Sequence, residues 1–213
     1  MTMFAGNLGG IVLCGGNSLR MGRSKALLPF GPESMLQRVV RIVREAASPV
    51  VVVAAARQTL PPLPDDVQIV EDDYAALGPL AGLATGLAAL AGRTDLAYVT
   101  GCDAPLLRSE FIRQIAALLG DYDLALPRAG AYYHPLAAVY RVDVVAAARR
   151  LIAENRLSVI GLCECLRTRS IAVEELRTAD PKLLSLRNIN SPADYQAALA
   201  DAGLTGSSSA VGG

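Results

Sequence analysis

Short, largely apolar runs punctuate the first part of the chain at residues 10–14, 50–54, 67–70, 96–100 and 123–126. Glycine, proline or acidic residues bound them. Runs of this length and composition read as strands buried on both faces, the kind found in parallel sheets. Between them the apolar period lengthens. Met35, Val39, Ile42, Val43 and Ala46 recur at helical spacing over 34–47. Gly78-Pro79 opens a second helix that runs to about residue 91, with proline at its first position. A third helix covers 109–119. Strands alternating with helices over short connections predict an α/β fold, a single-domain three-layer sandwich whose mostly parallel sheet carries helices on both faces. The later part is less regular. It reads as a strand at 136–140, helices at 142–153 and 158–166, and a strand at 170–173. Asn188-Ile189-Asn190-Ser191-Pro192 then leads into a last helix to about residue 200, with Ser191 as N-cap and Pro192 at the first helical position. One domain over 1–205 is expected, in two halves that divide near residue 126. The Gly/Ser-rich segment 206–213 is expected to be a disordered tail.

Composition narrows the class. With 52% hydrophobic and 19% charged residues, the 213-residue chain can bury a core and is not an intrinsically disordered protein. Twenty basic residues balance twenty acidic ones. That balance leaves no general footprint for nucleic acid and no polybasic membrane patch. Residues 74–92 are uncharged, and Gly78, Gly82 and Gly86 recur at spacing four, as on a transmembrane packing face. A helix over 79–91 is only ~20 Å long at ~1.5 Å per residue, however, and a bilayer core needs ~30 Å. A buried helix with a close-packed small face is the better reading. The first residues carry no basic n-region, so a cytoplasmic protein is expected. Cys14, Cys102, Cys163 and Cys165 form no C-x-x-C pair, so a zinc site is not expected, and a disulfide framework is improbable at this size. Cys163 and Cys165 read as small apolar residues that share a face if the segment is extended.

The chemistry concentrates in two places. The first is Leu13-Cys14-Gly15-Gly16-Asn17-Ser18-Leu19-Arg20-Met21-Gly22-Arg23-Ser24-Lys25, directly after a buried strand. Gly15, Gly16 and Gly22 let backbone N–H groups approach a phosphate, and Arg20, Arg23 and Lys25 can neutralise a triphosphate. Neither the Walker pattern nor G-x-G-x-x-G is present. A strand, a glycine-rich loop and a delayed lysine fit a nucleotidyltransferase cradle; the bland alternative is a solvent loop with scattered arginines. The second is Thr100-Gly101-Cys102-Asp103-Ala104-Pro105. A carboxylate at the tip of a central strand is well placed to hold Mg²⁺, which binds through one or two carboxylates plus phosphate oxygens. Taken alone, Asp103 reads as a turn residue or helix cap.

Together these segments resemble the molybdenum cofactor guanylyltransferases, within the wider α/β nucleotidyltransferases of nucleotide-diphospho-sugar-transferase-like fold with a Rossmann-like N-terminal half. The family signature L-A-G-G-x-S-x-R-M-G-x-D-K is matched by residues 13–25 with two changes. The resemblance extends over residues 8–200, through Val70-Glu71-Asp72, Gly78-Pro79-Leu80-Ala81-Gly82, Cys102-Asp103-Ala104-Pro105, His134-Pro135 and Asn188-Ile189-Asn190-Ser191-Pro192. It implies transfer of GMP from GTP to the terminal phosphate of molybdenum-loaded molybdopterin, with Mg²⁺ as cofactor. It makes residues 1–126 the nucleotide-binding half and 127–205 the acceptor-binding half. It implies nucleotide binding by Leu13, Cys14, Gly15, Gly16, Ser18, Lys25, Asp72, Gly82 and Asp103. Lys25, Arg20 and Asp103 would be catalytic, with Asp103 the Mg²⁺ ligand. His134, Arg156, Asn188 and Asn190 would lie on the acceptor side. Transient contact with a molybdenum-inserting protein or with chaperones of the target enzymes is implied by the family alone.

The departures bear on activity. Cys14 stands where the family has alanine, and Ser24 replaces the aspartate before the lysine. Ala54 ends the second strand where a bacterial homologue type carries asparagine, a position at which the resemblance implies a nucleoside contact. Gly15-Gly16 favours guanylyl over cytidylyl transfer, since cytidylyl relatives read Ala-Gly there. Three readings stay open at this level: the guanylyltransferase, a nucleotidyltransferase using CTP or another phosphorylated acceptor, and a non-catalytic nucleotide- or pterin-binding carrier. His134 also reads as a strand-edge turn, Asp72 as loop solvation and Asn190 as support for the next turn.

Overall fold

A computed structural model describes residues 7–15, 24–72 and 77–204. In chain order it contains β1 (Leu8–Leu13), a hairpin of β2 (Pro29–Phe30) and β3 (Glu33–Ser34), α1 (Met35–Arg44), β4 (Val50–Ala54), β5 (Val67–Glu71), α2 (Pro79–Leu90) and β6 (Leu96–Gly101). There follow α3 (Ser109–Ala117), β7 (Leu124–Ala129), β8 (Tyr132–Tyr133), β9 (Ala137–Arg141), α4 (Val145–Ala153), α5 (Val159–Glu164), β10 (Thr168–Ala172) and α6 (Pro192–Asp201). The main sheet has eight strands in the order β10-β7-β9-β6-β1-β4-β5, with β8 on β7. β5, β4, β1 and β6 are parallel, and β10 is parallel to β7. β9 runs antiparallel between β6 and β7. The connection from β7 to β9 explains this reversal. It holds only the two-residue β8 and its turns, and a parallel return needs a crossover of a dozen residues or more.

Side chains alternate between the two faces, as the pleat requires. Val12, Val50, Val52 and Tyr98 pack against Leu36, Val40 and Val43 of α1 and Phe111 and Ile115 of α3. Ile11, Val51, Val53, Ala97 and Val99 pack against Leu80, Leu83 and Leu87 of α2, Leu151 of α4 and Leu162 of α5. The three predicted layers are therefore present. α5 corrects one local expectation. Cys163 is buried within it and Cys165, just past its end, is exposed, so the two share no face.

α2 has 12 residues, and among the described residues no helix is long and apolar enough to cross a membrane. Its small face lets it lie close on β1: a Cβ added at Gly86 would stand 2.6 Å from Ile11 Cγ2 and 3.0 Å from Ile11 Cδ1. Gly86→Ala is therefore expected to lower unfolding free energy by ~1–3 kcal/mol through overpacking, despite the gain of up to ~1 kcal/mol that alanine brings to a helix. Urea unfolding measures it; a variant as stable as the parent would mean that Ile11 can turn aside.

A third, smaller apolar cluster lies beside the carboxyl edge of the sheet. Phe30 and Met35 from the β2–β3 hairpin and α1, Leu106 from the segment after β6, Ile189, and Ala198 of α6 are buried together. It gathers pieces of chain that are far apart in sequence, and it underlies the site.

Candidate active site

The chain leaves β1 toward β4 and β5, then returns through α2 to β6 on the other side of β1. The winding reverses between β1 and β6, and in open α/β sheets a ligand cleft forms beyond the carboxyl ends of the strands at such a point. Cys14-Gly15 and Cys102-Asp103 emerge there side by side. The Cys102 N–H donates to the Leu13 carbonyl at 2.9 Å, and the Cys14 N–H to the Val53 carbonyl at 2.8 Å.

Three predicted residues meet in this cleft. Lys25 opens a single 3₁₀ turn, Lys25–Leu27, whose Ala26 is buried. Its Nζ donates to Asp103 Oδ2 at 3.1 Å and to Asn190 Oδ1 at 2.9 Å. The Lys25 and Asp103 side chains are 17% and 21% exposed, shielded enough to matter electrostatically and open enough to be reached. Glycine at 101 makes the carboxylate's position possible, because a Cβ there would stand 2.4 Å from Asp103 Oδ1. The Ile189 N–H donates to the Asp103 carbonyl at 2.8 Å, which fixes the third segment. Asp194 Oδ2 accepts the N–H groups of Asn190 and Ser191 at 3.0 and 2.8 Å, while Ser191 Oγ caps α6 as expected. Phe30, Leu106 and Ile189 share one buried cluster, so the segments near Lys25, Asp103 and Asn190 are tied to common apolar packing.

The predicted nucleoside residues form a second group. A Cβ at Gly82 would lie 3.4 Å from Leu13 Cδ2 and 3.9 Å from Asp72 Oδ2, so Leu13, Gly82 and Asp72 are neighbours. The Asp72 N–H donates to the Ala54 carbonyl at 2.8 Å. Gln58 joins the two strands here and was not expected from the sequence. Its Oε1 accepts the Ala55 N–H at 2.9 Å, and its Nε2 donates to the Cys14 carbonyl at 3.0 Å and to Cys14 Sγ at 3.4 Å. Hydrogen bonds from the Cys102 thiol and then from Gln58 hold the Cys14 pKa below the usual thiol value, against the effect of burial. The same contact with Cys14, and burial, push Cys102 well above it.

The remaining candidates are less tightly gathered. His134 precedes β9, at the edge where β6 ends, and its N–H donates to the Pro127 carbonyl at 3.0 Å. Burial lowers its pKa, and Tyr132 meets it edge-on with ring centroids 4.9 Å apart. Asn188 and Asn190 are both exposed and flank buried Ile189, so they face the same way. Arg156 is exposed after α4 and pairs with Glu154 at 3.3 Å, outside the Lys25–Asp103–Asn190 group. Gly16, Ser18 and Arg20 lie outside the described residues.

Residues 10–165 match the MobA-like NTP transferase domain. The chain belongs to this family. Among MobA-like relatives, a probable molybdenum cofactor guanylyltransferase of Pelotomaculum thermopropionicum is 31% identical over 87% of this chain and 88% of its own length. A protein of the same description from Mycobacterium tuberculosis is 36% identical over 89% of this chain and 92% of its own. The fold is that of molybdopterin-guanine dinucleotide biosynthesis protein A from Archaeoglobus fulgidus, with TM-score 0.76, 22% identity, and coverage of 92% of this chain and 98% of that one. The MobA-like domain match includes Lys25 and Asp103 but ends before Asn190.

Proposed function

We propose that this chain is a nucleotidyltransferase that transfers GMP from GTP to the terminal phosphate of molybdopterin, releasing pyrophosphate and forming the guanine dinucleotide cofactor. The observation that carries this reading is the meeting of Lys25, Asp103 and Asn190 at the β1–β6 reversal, in a chain whose curated relatives are described as guanylyltransferases. The nucleoside would lie over Leu13, Cys14 and Gly15 beside Gly82 and Asp72. The triphosphate would extend toward Lys25, and the acceptor would approach from Asn188, Asn190 and His134.

A phosphate oxygen of the acceptor attacks the α-phosphorus, and the bond from that phosphorus to the oxygen bridging toward the β-phosphorus breaks. The phosphate is already a nucleophile near neutral pH, so no strong base is required. The chain's work is positioning and charge compensation. Lys25 compensates charge as pyrophosphate departs, and Asn190 fixes the ammonium in place. Asp103 would hold Mg²⁺, an ion that binds through one or two carboxylates together with substrate phosphates. Bound there, Mg²⁺ would neutralise triphosphate charge and polarise the phosphate oxygens.

The test is pyrophosphate release from GTP, CTP, ATP and UTP with Mg²⁺, with and without molybdenum-loaded molybdopterin. Release from GTP that depends on the pterin is expected. Release from CTP instead would overturn the base assignment, and tight GTP binding without release would overturn the acceptor or the catalytic reading.

A further inference from the structure

Beneath the cleft, Cys14 and Cys102 carry thiol groups to which the proposed transfer gives no chemical step. Leu13 opposite Gly101 is the last rung between β1 and β6, so Cys14 and Cys102 occupy the next level, one on each strand. Both are buried in the same apolar cluster, on the α1 and α3 face of the sheet. Side chains at one level of a pleated sheet point to the same face, so the two thiols are neighbours there. Neighbouring strands lie ~4.8 Å apart, within the ~4.4–6.8 Å between Cα atoms that a disulfide spans. A rung inside a ladder resists the approach of Cβ atoms that the bond requires. This rung lies past the last ladder pair, and the backbone bonds that the two residues make there are from Cys102 N–H to the Leu13 carbonyl and from Cys14 N–H to the Val53 carbonyl. The other cysteines lack such a partner: Cys163 contacts the Tyr140 hydroxyl at 3.9 Å, and Cys165 is exposed.

We propose that Cys14 and Cys102 are an oxidation site, a dithiol that a peroxide converts to a disulfide and thereby switches off nucleotide transfer at the adjoining cleft. The switching half rests on the function proposed above. The Cys14 sulfur, in contact with the Gln58 amide at 3.4 Å, attacks one peroxide oxygen. The O–O bond breaks, the departing hydroxide takes the thiol proton as water, and Cys14 becomes a sulfenic acid, oxidised by two electrons. The Cys102 sulfur then attacks Cys14 sulfur, the S–O bond breaks, and the hydroxyl leaves as a second water with the Cys102 proton. Two thiols and one hydrogen peroxide give one disulfide and two waters.

The consequence for the cleft follows from sequence adjacency. Cys14 carries Gly15, and Cys102 carries Asp103, whose carboxylate rests on Gly101 and Lys25 and whose carbonyl anchors Ile189. Drawing the two sulfurs together displaces both sides of the site at once. A displacement of about 1 Å costs on the order of 10²-fold in rate.

The experiment treats the full chain with hydrogen peroxide, then alkylates it and maps its peptides. A peptide pair joined through Cys14 and Cys102 is expected, with a ~10²-fold fall in pyrophosphate release from GTP and recovery of both by dithiothreitol. Cys102→Ala, normalised to its own reduced activity, should lose the peroxide response, and Cys165→Ala should keep it. Absence of the Cys14–Cys102 link, a link without loss of activity, or a Cys102→Ala variant inactivated like the parent would each overturn the proposal. The link is read by mass whether or not the reduced protein turns over. A chain that forms it but releases no pyrophosphate before oxidation would count against the transfer reading; GTP affinity, unchanged on oxidation, would then count against the switch.

Discussion

Lys25→Ala is expected to lower kcat/KM for pyrophosphate release by ~10²–10³, with most of the loss in kcat. The side chain contributes a single ammonium held between two oxygens, at 3.1 Å from Asp103 and 2.9 Å from Asn190. Such a charge is already oriented before the reaction, so it stabilises charge developing on the leaving group without having to reorganise. Ground-state binding of GTP has other contacts to draw on, which is why KM should move less than kcat. Lys25→Arg should restore little. A guanidinium is planar and forked, whereas the site holds a compact point charge. Thermal unfolding of both variants separates a lost charge from a lost fold. Steady-state turnover close to the parent's in Lys25→Ala would remove this residue from the reaction.

The parallel half of the fold was legible because its strands are buried on both faces, so they read as continuous apolar runs. Val50–Ala54 is the clearest case, with all five residues buried. The helices were legible through their period and through Gly78-Pro79 and Ser191-Pro192. The β2–β3 hairpin and β8 escaped because strands of two residues have no period to detect. The strand at 136–140 was legible, yet its place between β6 and β7 was not, because strand order is set by tertiary packing. The site divides in the same way. A delayed lysine and an aspartate at a strand tip marked two of the residues that meet in the cleft, Lys25 and Asp103. That Lys25 would touch a residue 165 positions away could not be read from spacing. Gln58 gave no local signal in a proline-rich loop, and the pairing of Cys14 with Cys102 depends on the register of two strands. Asp194 could have been read from its place three residues after the Ser191 cap.

Gly101→Ala is expected to cost nearly as much activity as Asp103→Ala, ~10²–10³ in kcat/KM, although it adds one methyl group. That methyl carbon would stand 2.4 Å from Asp103 Oδ1 and 3.5 Å from Asp103 Cγ. The colliding atom is the end of a side chain, so the relief is a rotation of the carboxylate away from Lys25 rather than a shift of the sheet. The backbone at 101 is outside the left-handed region, so alanine fits its conformation, and stability should hold or rise by up to ~1 kcal/mol through the unfolded chain. Loss of activity without loss of stability is thus the signature. A double-mutant cycle isolates the cause. In an Asp103→Ala background the obstacle is gone, so Gly101→Ala should be silent and the two losses should not add. Additive losses would mean that the methyl group acts on something other than Asp103. Full activity in Gly101→Ala would mean that the carboxylate's orientation is not what the reaction uses.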